Sequence, residues 1–295
     1  MHNHIFIFLA QKTHFLKLCI WSVRSLQKFS YFNILIIVDK QEEKDFLERY
    51  LTNVEIRVIK VDTGNLNMWC WKPLLLKNLN LNYEQIIVSD VDVIWHKNPT
   101  DLLNRVNSKF WSHKITALDP KEIIDNLENK KIPKRRLGLI NMVRFFNDNG
   151  IKFLPNFQVN GGLFSVTKND FKIISEDWYT AIKNMKYQFI MTEAILSIVL
   201  ANRSIAPFCD EEDIKHHKKI FNGKVAYPII KYKLLNKTIK PNLNGYRYAT
   251  HYHGDQRLSM VSMARKYNLD KNNFIFSVIA YIILNKIKRI INKIL

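Results

Sequence analysis

The feature that most constrains the fold is an alternation of strand and helix patterns along the first third of the chain. Four strand-like runs occupy residues 4–10, 33–39, 54–61 and 86–88, and the segments between them carry apolar residues at helical spacing. The run at 54–61 interleaves Glu55, Arg57 and Lys60 with its apolar residues, whereas the other three are mainly apolar. Apolar, β-branched runs of this kind are typical of strands buried on both faces. Strands and helices in this order predict a mostly parallel sheet with helices on both faces. The sequence therefore predicts an α/β, Rossmann-like fold.

Two acidic residues, Asp90 and Asp92, follow the fourth run in the stretch IIVSDVDV. Side chains two apart in a strand point the same way, so we predict that the two carboxylates converge at the carboxyl end of that strand. Open α/β sheets bind ligands at this end, and carboxylate oxygens favour Mg²⁺ or Mn²⁺. The alternative is a solvated strand end whose carboxylates only cap a turn.

Composition narrows the class of partner. Lys and Arg number 45 against 26 Asp and Glu, which gives a formal net charge of +19. Such an excess favours anionic partners, namely phosphate-bearing ligands, nucleic acid or an acidic membrane surface. Cys19, Cys70 and Cys209 show no zinc-ligand spacing, which predicts reduced, buried thiols and a reducing compartment. The first apolar run is too short for an export signal and has no basic region before it.

Two stretches of the second half carry polar residues beside apolar elements. Asn160, Gly161 and Gly162 precede an apolar strand, and adjacent glycines either let a small molecule approach the backbone or serve a tight turn or bulge. Glu193 stands in the first turn of a predicted helix, where an acid lines a pocket or merely complements the helix dipole. A basic cluster at residues 130–138 is either a solvated loop or a flap over the site.

The C-terminal stretch, residues 273–295, has the pattern of an amphipathic helix. Its apolar part, residues 274–284, is too short to span a bilayer, which needs about 20 residues. Isoleucines then recur at helical spacing with basic residues between them: Lys286, Lys288, Arg289 and Lys293. This pattern predicts a helix lying in an anionic membrane interface. The alternative is a terminal helix whose apolar stripe packs on the domain.

Three motifs together resemble the retaining nucleotide-sugar transferases of glycosyltransferase family 8, which have the GT-A fold. They are the acidic strand end, the Asn-Gly-Gly step and the segment HYHGDQR at residues 251–257. The resemblance spans residues 4–258. In that family an Asp-x-Asp binds manganese, which bridges the donor diphosphate, so the match implies this role for Asp90 and Asp92.

The same resemblance implies roles for six further residues. The family's His-aromatic-x-Gly-x-x-Lys segment makes His251 the third protein ligand of the metal, brings Gly254 to the diphosphate through its backbone, and puts Arg257 in place of the lysine. Lys72 resembles a lysine that the family places near the donor, and Asn160 would lie near the donor and acceptor sugars. Glu193 stands where the family has Asp-Gln. It would stabilise the anomeric centre, position the acceptor, or act as base in an inverting variant.

The function implied is transfer of a sugar, expected to be a hexose from a UDP donor, with Mn²⁺ or Mg²⁺ as cofactor. The acceptor would be a glycan or glycolipid of lipopolysaccharide or surface polysaccharide synthesis. Residues 1–260 would form the GT-A catalytic domain, with a nucleotide-binding half (1–100) and an acceptor half (101–260), and residues 261–295 a membrane-associating tail. The expected location is cytoplasmic, peripheral on the inner face of the cell membrane, with an anionic membrane surface as partner.

Two other classes of protein remain open. The basic excess and an Asp-x-Asp metal site also suit a nucleic-acid-binding protein or a metal-dependent nuclease. However, the lysines are spread along the chain without a helix-turn-helix, zinc-finger or RNA-binding aromatic pattern, so no nucleic acid is expected. A non-catalytic GT-A-like module that only binds membrane would keep its function without Asp90 and Asp92.

Overall fold

The computed structural model describes residues 3–60, 71–106, 110–112, 115–117, 156–183, 192–207, 249–251 and 257–294. These residues form ten strands and eight helices. The elements in chain order are β1 (His4–Leu9), α1 (Thr13–Gln27), β2 (Asn33–Val38), α2 (Gln41–Glu48), β3 (Glu55–Val58), α3 (Trp71–Lys77), β4 (Gln85–Ser89), β5 (Val93–Trp95), α4 (Thr100–Val106), β6 (Trp111–Ser112), β7 (Ile115–Ala117), β8 (Phe157–Val159), β9 (Leu163–Thr167), α5 (Lys168–Lys183), α6 (Thr192–Asn202), β10 (Ala249–His251), α7 (Arg257–Lys266) and α8 (Ile275–Ile294).

Six strands form the main sheet in the order β3-β2-β1-β4-β9-β6. The first four are parallel to one another, whereas β9 pairs antiparallel with both β4 and β6. Five of the six strands therefore run in one direction. This arrangement confirms the predicted α/β, Rossmann-like class with a mostly parallel sheet.

Both faces of the sheet are covered, because successive side chains of a strand point to opposite sides. Phe6 and Phe8 of β1 belong to a cluster that includes buried residues of α1, α2, α7 and α8. Ile5 and Ile7 of the same strand belong to a second cluster with α3, α5 and α6. The continuous apolar runs of the sequence are thus explained by two helical layers, one on each face.

The acidic stretch leaves the sheet earlier than the sequence predicted. Strand β4 ends at Ser89, and Val91 and Asp92 form a turn before β5 begins. The prediction that Asp90 and Asp92 project from one side of a single strand is therefore wrong. The backbone turns here because Val91 enters the core, while the Asp90 amide donates to the Gly162 carbonyl at 2.6 Å.

A second, two-stranded sheet joins β5 to β10. The pairing is antiparallel and sets His251 opposite Val93 and Thr250 opposite Ile94. The backbone of the C-terminal motif is therefore hydrogen-bonded to the strand that directly follows Asp92. This contact between distant parts of the chain is the one on which the predicted site depends.

Part of the stretch predicted as a separate tail belongs to the core. Val261, Met263 and Ala264 of α7 are buried among residues of the main sheet, and so are Val278 and Ile282 of α8. A boundary at residue 260 would cut through α7. None of the helices in the described ranges combines the length and apolarity that a bilayer-spanning segment needs.

Several predictions concern residues outside the described ranges. They include the basic cluster at 130–138, Gly254, Cys70 and Cys209. Cys19 is described, and it is a free, buried thiol as predicted. Burial raises the pKa of the Cys19 thiol, so the side chain is protonated and unreactive.

Candidate active site

Lys72 joins the end of β4 to the glycine turn that precedes β9. Its Nζ donates to Asp90 Oδ1 at 2.5 Å and to the Gly161 carbonyl at 2.6 Å. The Lys72 side chain is 17% exposed and that of Asp90 35%, so water screens this ion pair less than a pair on the open surface. The α3 residues that follow, Leu74–Leu76, are buried in the core and hold the lysine at this edge.

The end of β4 meets the glycine turn because β9 pairs antiparallel with β4, with Leu163 opposite Ser89. Asn160 stabilises the turn by accepting a hydrogen bond from the Gly162 amide at its Oδ1, at 2.8 Å. The alternative in which the glycines form a tight turn is therefore the observed one. It still leaves the Gly161 backbone beside Lys72.

Ser112 fixes the backbone of Asn160 and was missed by the sequence analysis. Its Oγ donates to the Asn160 carbonyl at 3.0 Å and accepts from the Asn160 amide at 3.2 Å. The Ser112 side chain is fully buried. Nothing in the sequence marks this serine, since it lies in a two-residue strand without a motif.

Glu193 reaches the same turn from the first turn of α6. Its Oε1 accepts from the Gly161 amide at 3.3 Å, so the carboxylate does more than complement the helix dipole. A Cβ added at Gly161 would lie 3.2 Å from Glu193 Cγ, so the Glu193 side chain would have to shift by a few tenths of an ångström. Ser197 ties this helix to β8, since its Oγ donates to the Glu193 carbonyl and accepts from the Val159 amide.

Asp92 pairs with Arg257 across 165 residues of sequence. The guanidinium donates to Asp92 Oδ2 through Nε at 3.0 Å and through Nη2 at 2.8 Å. The Asp92 side chain is only 5% exposed and that of Arg257 19%. The Arg257 Cζ also lies 5.1 Å from the centre of the Phe15 ring. Arg257 thus neutralises a buried carboxylate and is itself held by an aromatic ring.

The described site residues therefore lie in two groups at the same strand end. Lys72, Asp90, Asn160, Gly161 and Glu193 are linked by hydrogen bonds through the glycine turn. The Asp92–Arg257 pair forms the other group, and the backbone of His251 pairs with the residue after Asp92. The side chain of His251 and all of Gly254 lie outside what the structure describes.

A divalent cation fits the chemistry of this strand end. Two carboxylates stand within three residues of each other, and each accepts a hydrogen bond from a cationic side chain. Both acids thus already bind positive charge, and hard oxygen ligands are what Mg²⁺ and Mn²⁺ prefer. Within the described ranges, three or more His, Cys, Asp or Glu side chains do not gather at any one point that could hold a metal. A third ligand would come from the segment that contains His251.

Two buried histidines carry no charge at neutral pH, and one of them, His14, lies near Arg257 of the site. Burial and, to a smaller extent, the charges of Arg257, Lys12 and Lys17 together lower the pKa of His14 to about 4. Burial, together with Lys266, likewise lowers the pKa of His96 to about 4. The guanidinium of Arg257 therefore meets no positive charge from the neighbouring imidazole of His14.

Together, the fold and the site define an α/β protein with paired carboxylates and cations at the end of its central strand. No protein-family model matches the sequence, and no curated protein matches it. Among solved structures, the galactosyltransferase LgtC in complex with donor and acceptor sugar analogs is similar at 11% identity and a TM-score of 0.44, over 66% of this chain and 70% of that one. An active-site mutant of LgtC gives 10% identity and a TM-score of 0.44, over 66% of this chain and 69% of its own. Likeness at this level identifies neither a family nor an activity.

Proposed function

We propose that the protein is a metal-dependent glycosyltransferase of the GT-A type that moves a hexose from a UDP donor to an acceptor. One observation carries the proposal. Hydrogen bonds run from Glu193 through Gly161 and Lys72 to Asp90 at the carboxyl end of the central strand. Lys72, Asp90 and Glu193, which the family resemblance selected from distant parts of the sequence, therefore lie in one network, and Asp92 and Arg257 form a separate pair. A solvated strand end would not require such a network.

Asp90 and Asp92 would hold the divalent cation, with His251 as the third protein ligand. When bound, the cation would stabilise the negative charge that develops on the leaving nucleotide diphosphate. Both carboxylates stand at the strand end where open α/β sheets bind ligands. Asp92 is the more buried of the two, so it would be the less hydrated ligand.

Lys72 and Arg257 would serve the donor by changing partners. In the structure, Lys72 pairs with Asp90 and Arg257 pairs with Asp92, so the two negative and two positive charges balance. With the two carboxylates engaged as metal ligands, the Lys72 ammonium and the Arg257 guanidinium would donate to phosphate oxygens of the donor instead. The forked guanidinium of Arg257 suits two oxygens at once, whereas the ammonium of Lys72 acts as a point charge.

Glu193 and Asn160 would act on the sugars. The Glu193 carboxylate lies at the Gly161 amide, and Asn160 occupies the position before it, so both flank the turn beside Lys72. Glu193 would stabilise positive charge at the anomeric carbon, position the acceptor, or serve as base in an inverting reaction. Because Asn160 Oδ1 already accepts from the Gly162 amide, the Nδ2 group is the part of its side chain suited to donating to a sugar hydroxyl.

The proposed acceptor is a glycan or glycolipid of lipopolysaccharide or surface polysaccharide synthesis. A glycolipid acceptor would bring the protein to the inner face of the cell membrane as a peripheral protein. The catalytic unit would then include α7 and the packed face of α8 in addition to residues 1–260, because both helices belong to the core, and residues 1–100 would bind the nucleotide. Gly254 would approach the diphosphate through its backbone.

A screen of nucleotide sugars with and without Mn²⁺ tests the proposed function. We expect one UDP-hexose to raise the melting temperature only when Mn²⁺ is present, because ligands stabilise the state that binds them. The same donor should be slowly hydrolysed by the protein, since water can replace a missing acceptor. Cleavage of nucleic acid with Mn²⁺, without stabilisation by any nucleotide sugar, would contradict the proposal and favour the nuclease.

A further inference from the structure

We propose that the outer face of helix α8 docks on an anionic lipid membrane. The outer face is defined by Phe276, Ile283, Leu284, Ile287 and Ile291. The inference deepens the proposed function by naming the surface that meets the membrane. Only the link to a lipid-borne acceptor rests on that function, because membrane binding itself needs no catalysis.

Helix α8 is fixed to the domain by its start and by its inner face. Asp270 accepts hydrogen bonds from the amides of Phe274 and Ile275 at 2.9 and 3.1 Å, and from Trp21 Nε1 at 3.2 Å. Val278 and Ile282 are buried in the core that α1 also lines. The helix therefore needs no partner to hold it in place.

The outer face remains exposed although it is apolar. Its five side chains are between 47% and 75% exposed, and they supply five of the seven exposed large hydrophobic residues in the described part of the chain. At about 100° per residue, they fall on one side of the helix, roughly opposite Val278 and Ile282. One apolar stripe packs on the domain, and a second one faces solvent. An exposed row of apolar side chains on one side of a helix is a candidate interaction site.

The charge of the C-terminal segment favours an anionic lipid surface over a second copy of this chain as the partner of the outer face. Asp270 is the last acidic residue, and every charged residue that follows it is Lys or Arg. Lys288 is exposed beside the outer face. Two copies of α8 packed on each other would therefore bring like charges together. In an anionic membrane, the lipid headgroups attract the basic residues and the acyl chains take up the apolar side chains. The net charge of +19 acts in the same direction.

The inner face of α8 also lies close to the candidate active site. Tyr281 stacks on His14, with ring centres 3.5 Å apart. Phe15, the next residue, contacts the Arg257 guanidinium that binds Asp92. A membrane bound to the outer face would thus be separated from the Asp92–Arg257 pair by α8, His14 and Phe15. This position suits an acceptor sugar carried on a lipid.

Cosedimentation of the full-length protein with vesicles tests the surface. We expect binding to phosphatidylcholine vesicles that contain phosphatidylglycerol, weaker binding at high salt, and little binding to phosphatidylcholine alone. The double variant Leu284→Asn, Ile287→Asn should lower the partition coefficient by about tenfold or more, because two exposed apolar side chains lose their transfer free energy. Ile173→Asn is the matched control. Ile173 is also an exposed isoleucine on a helix, α5, and its replacement should leave vesicle binding unchanged.

Three results would overturn the inference. The first is no binding of the wild type to the anionic vesicles, and the second is equal binding of the wild type and the double variant. The third is a wild-type dimer that becomes a monomer in the double variant, with neither protein bound to vesicles. Melting temperatures of both variants close to that of the wild type show that the fold is intact. Nucleotide-sugar hydrolysis is measured separately without vesicles. A wild-type protein that binds the vesicles but hydrolyses no nucleotide sugar would contradict the proposed function and leave the membrane surface unaffected.

Discussion

Replacing Asp90 with Asn is expected to lower kcat/KM for sugar transfer by roughly 100-fold or more while the protein stays folded. The substitution keeps the shape of the side chain but removes the charge that the cation and Lys72 both require. Asp90 is partly exposed and its backbone amide remains bound to Gly162, so little stability depends on its carboxylate. The stabilisation by Mn²⁺ and donor should disappear together with turnover. Both are measured on the same preparation, by steady-state kinetics and by thermal unfolding.

Asp101→Asn provides the control for this variant. Asp101 is an exposed acid in the first turn of α4, so its replacement removes the same charge away from the site. We expect its kinetics and its response to Mn²⁺ to match the wild type. Full activity of Asp90→Asn would contradict the metal role and favour a non-catalytic module.

Arg257→Ala is expected to destabilise the fold by about 3–5 kcal/mol, which is the usual cost of removing one partner from a buried ion pair. The Asp92 carboxylate is 5% exposed and would lose both hydrogen bonds from the guanidinium. Mn²⁺ should then raise the melting temperature of this variant more than that of the wild type, because the cation supplies the charge that the arginine no longer provides. Thermal unfolding across a series of Mn²⁺ concentrations measures both effects.

Arg203→Ala is the matched control for Arg257→Ala. Arg203 also donates two hydrogen bonds to an aspartate, Asp177, but the pair lies on the surface with side chains 49% and 31% exposed. Exposed pairs contribute about 1 kcal/mol or less, so this variant should unfold near the wild-type temperature and gain nothing extra from Mn²⁺. Equal behaviour of the two variants would show that Asp92 neither depends on Arg257 nor takes up a cation.

The sheet was predictable because its strands are encoded locally. Strands β1, β2 and β4 are continuous apolar runs, and the helices between them show their own spacing, so neighbouring residues suffice to find both. The end of β4 was not predictable to the residue. Alternation would have continued through Asp92, but the burial of Val91 and the hydrogen bond from Asp90 to Gly162 turn the chain, and both are tertiary contacts.

The ion pairs of the site could not be predicted from the sequence either. Family resemblance selected Lys72 and Arg257 as donor contacts, whereas the structure pairs them with Asp90 and Asp92. Which carboxylate meets which cation depends on the pairing of β10 with β5 and on the position of α3, and no local pattern encodes either. Ser112 illustrates the same limit, because its role comes only from its contact with Asn160.

Helix α8 shows that apolar periodicity can predict a helix without predicting which of its faces is buried. The isoleucine spacing correctly predicted an amphipathic helix, and the sequence left open whether its apolar stripe packs on the domain or meets a membrane. The structure has two stripes, with Val278 and Ile282 packed on the domain and Leu284 and Ile287 exposed. Spacing alone could not tell them apart, since burial depends on the contact with α1.

Equilibrium binding of Mn²⁺ in the presence of UDP, followed by the electron paramagnetic resonance signal of the free ion, most directly tests whether one cation is held by Asp90, Asp92 and His251. We predict that His251→Ala weakens Mn²⁺ binding roughly tenfold or more relative to the wild type. The paired backbone of β10 and β5 should keep the variant folded, which its melting temperature would report. An unchanged Mn²⁺ affinity in His251→Ala would contradict a metal shared by the two strand-end acids and the C-terminal motif.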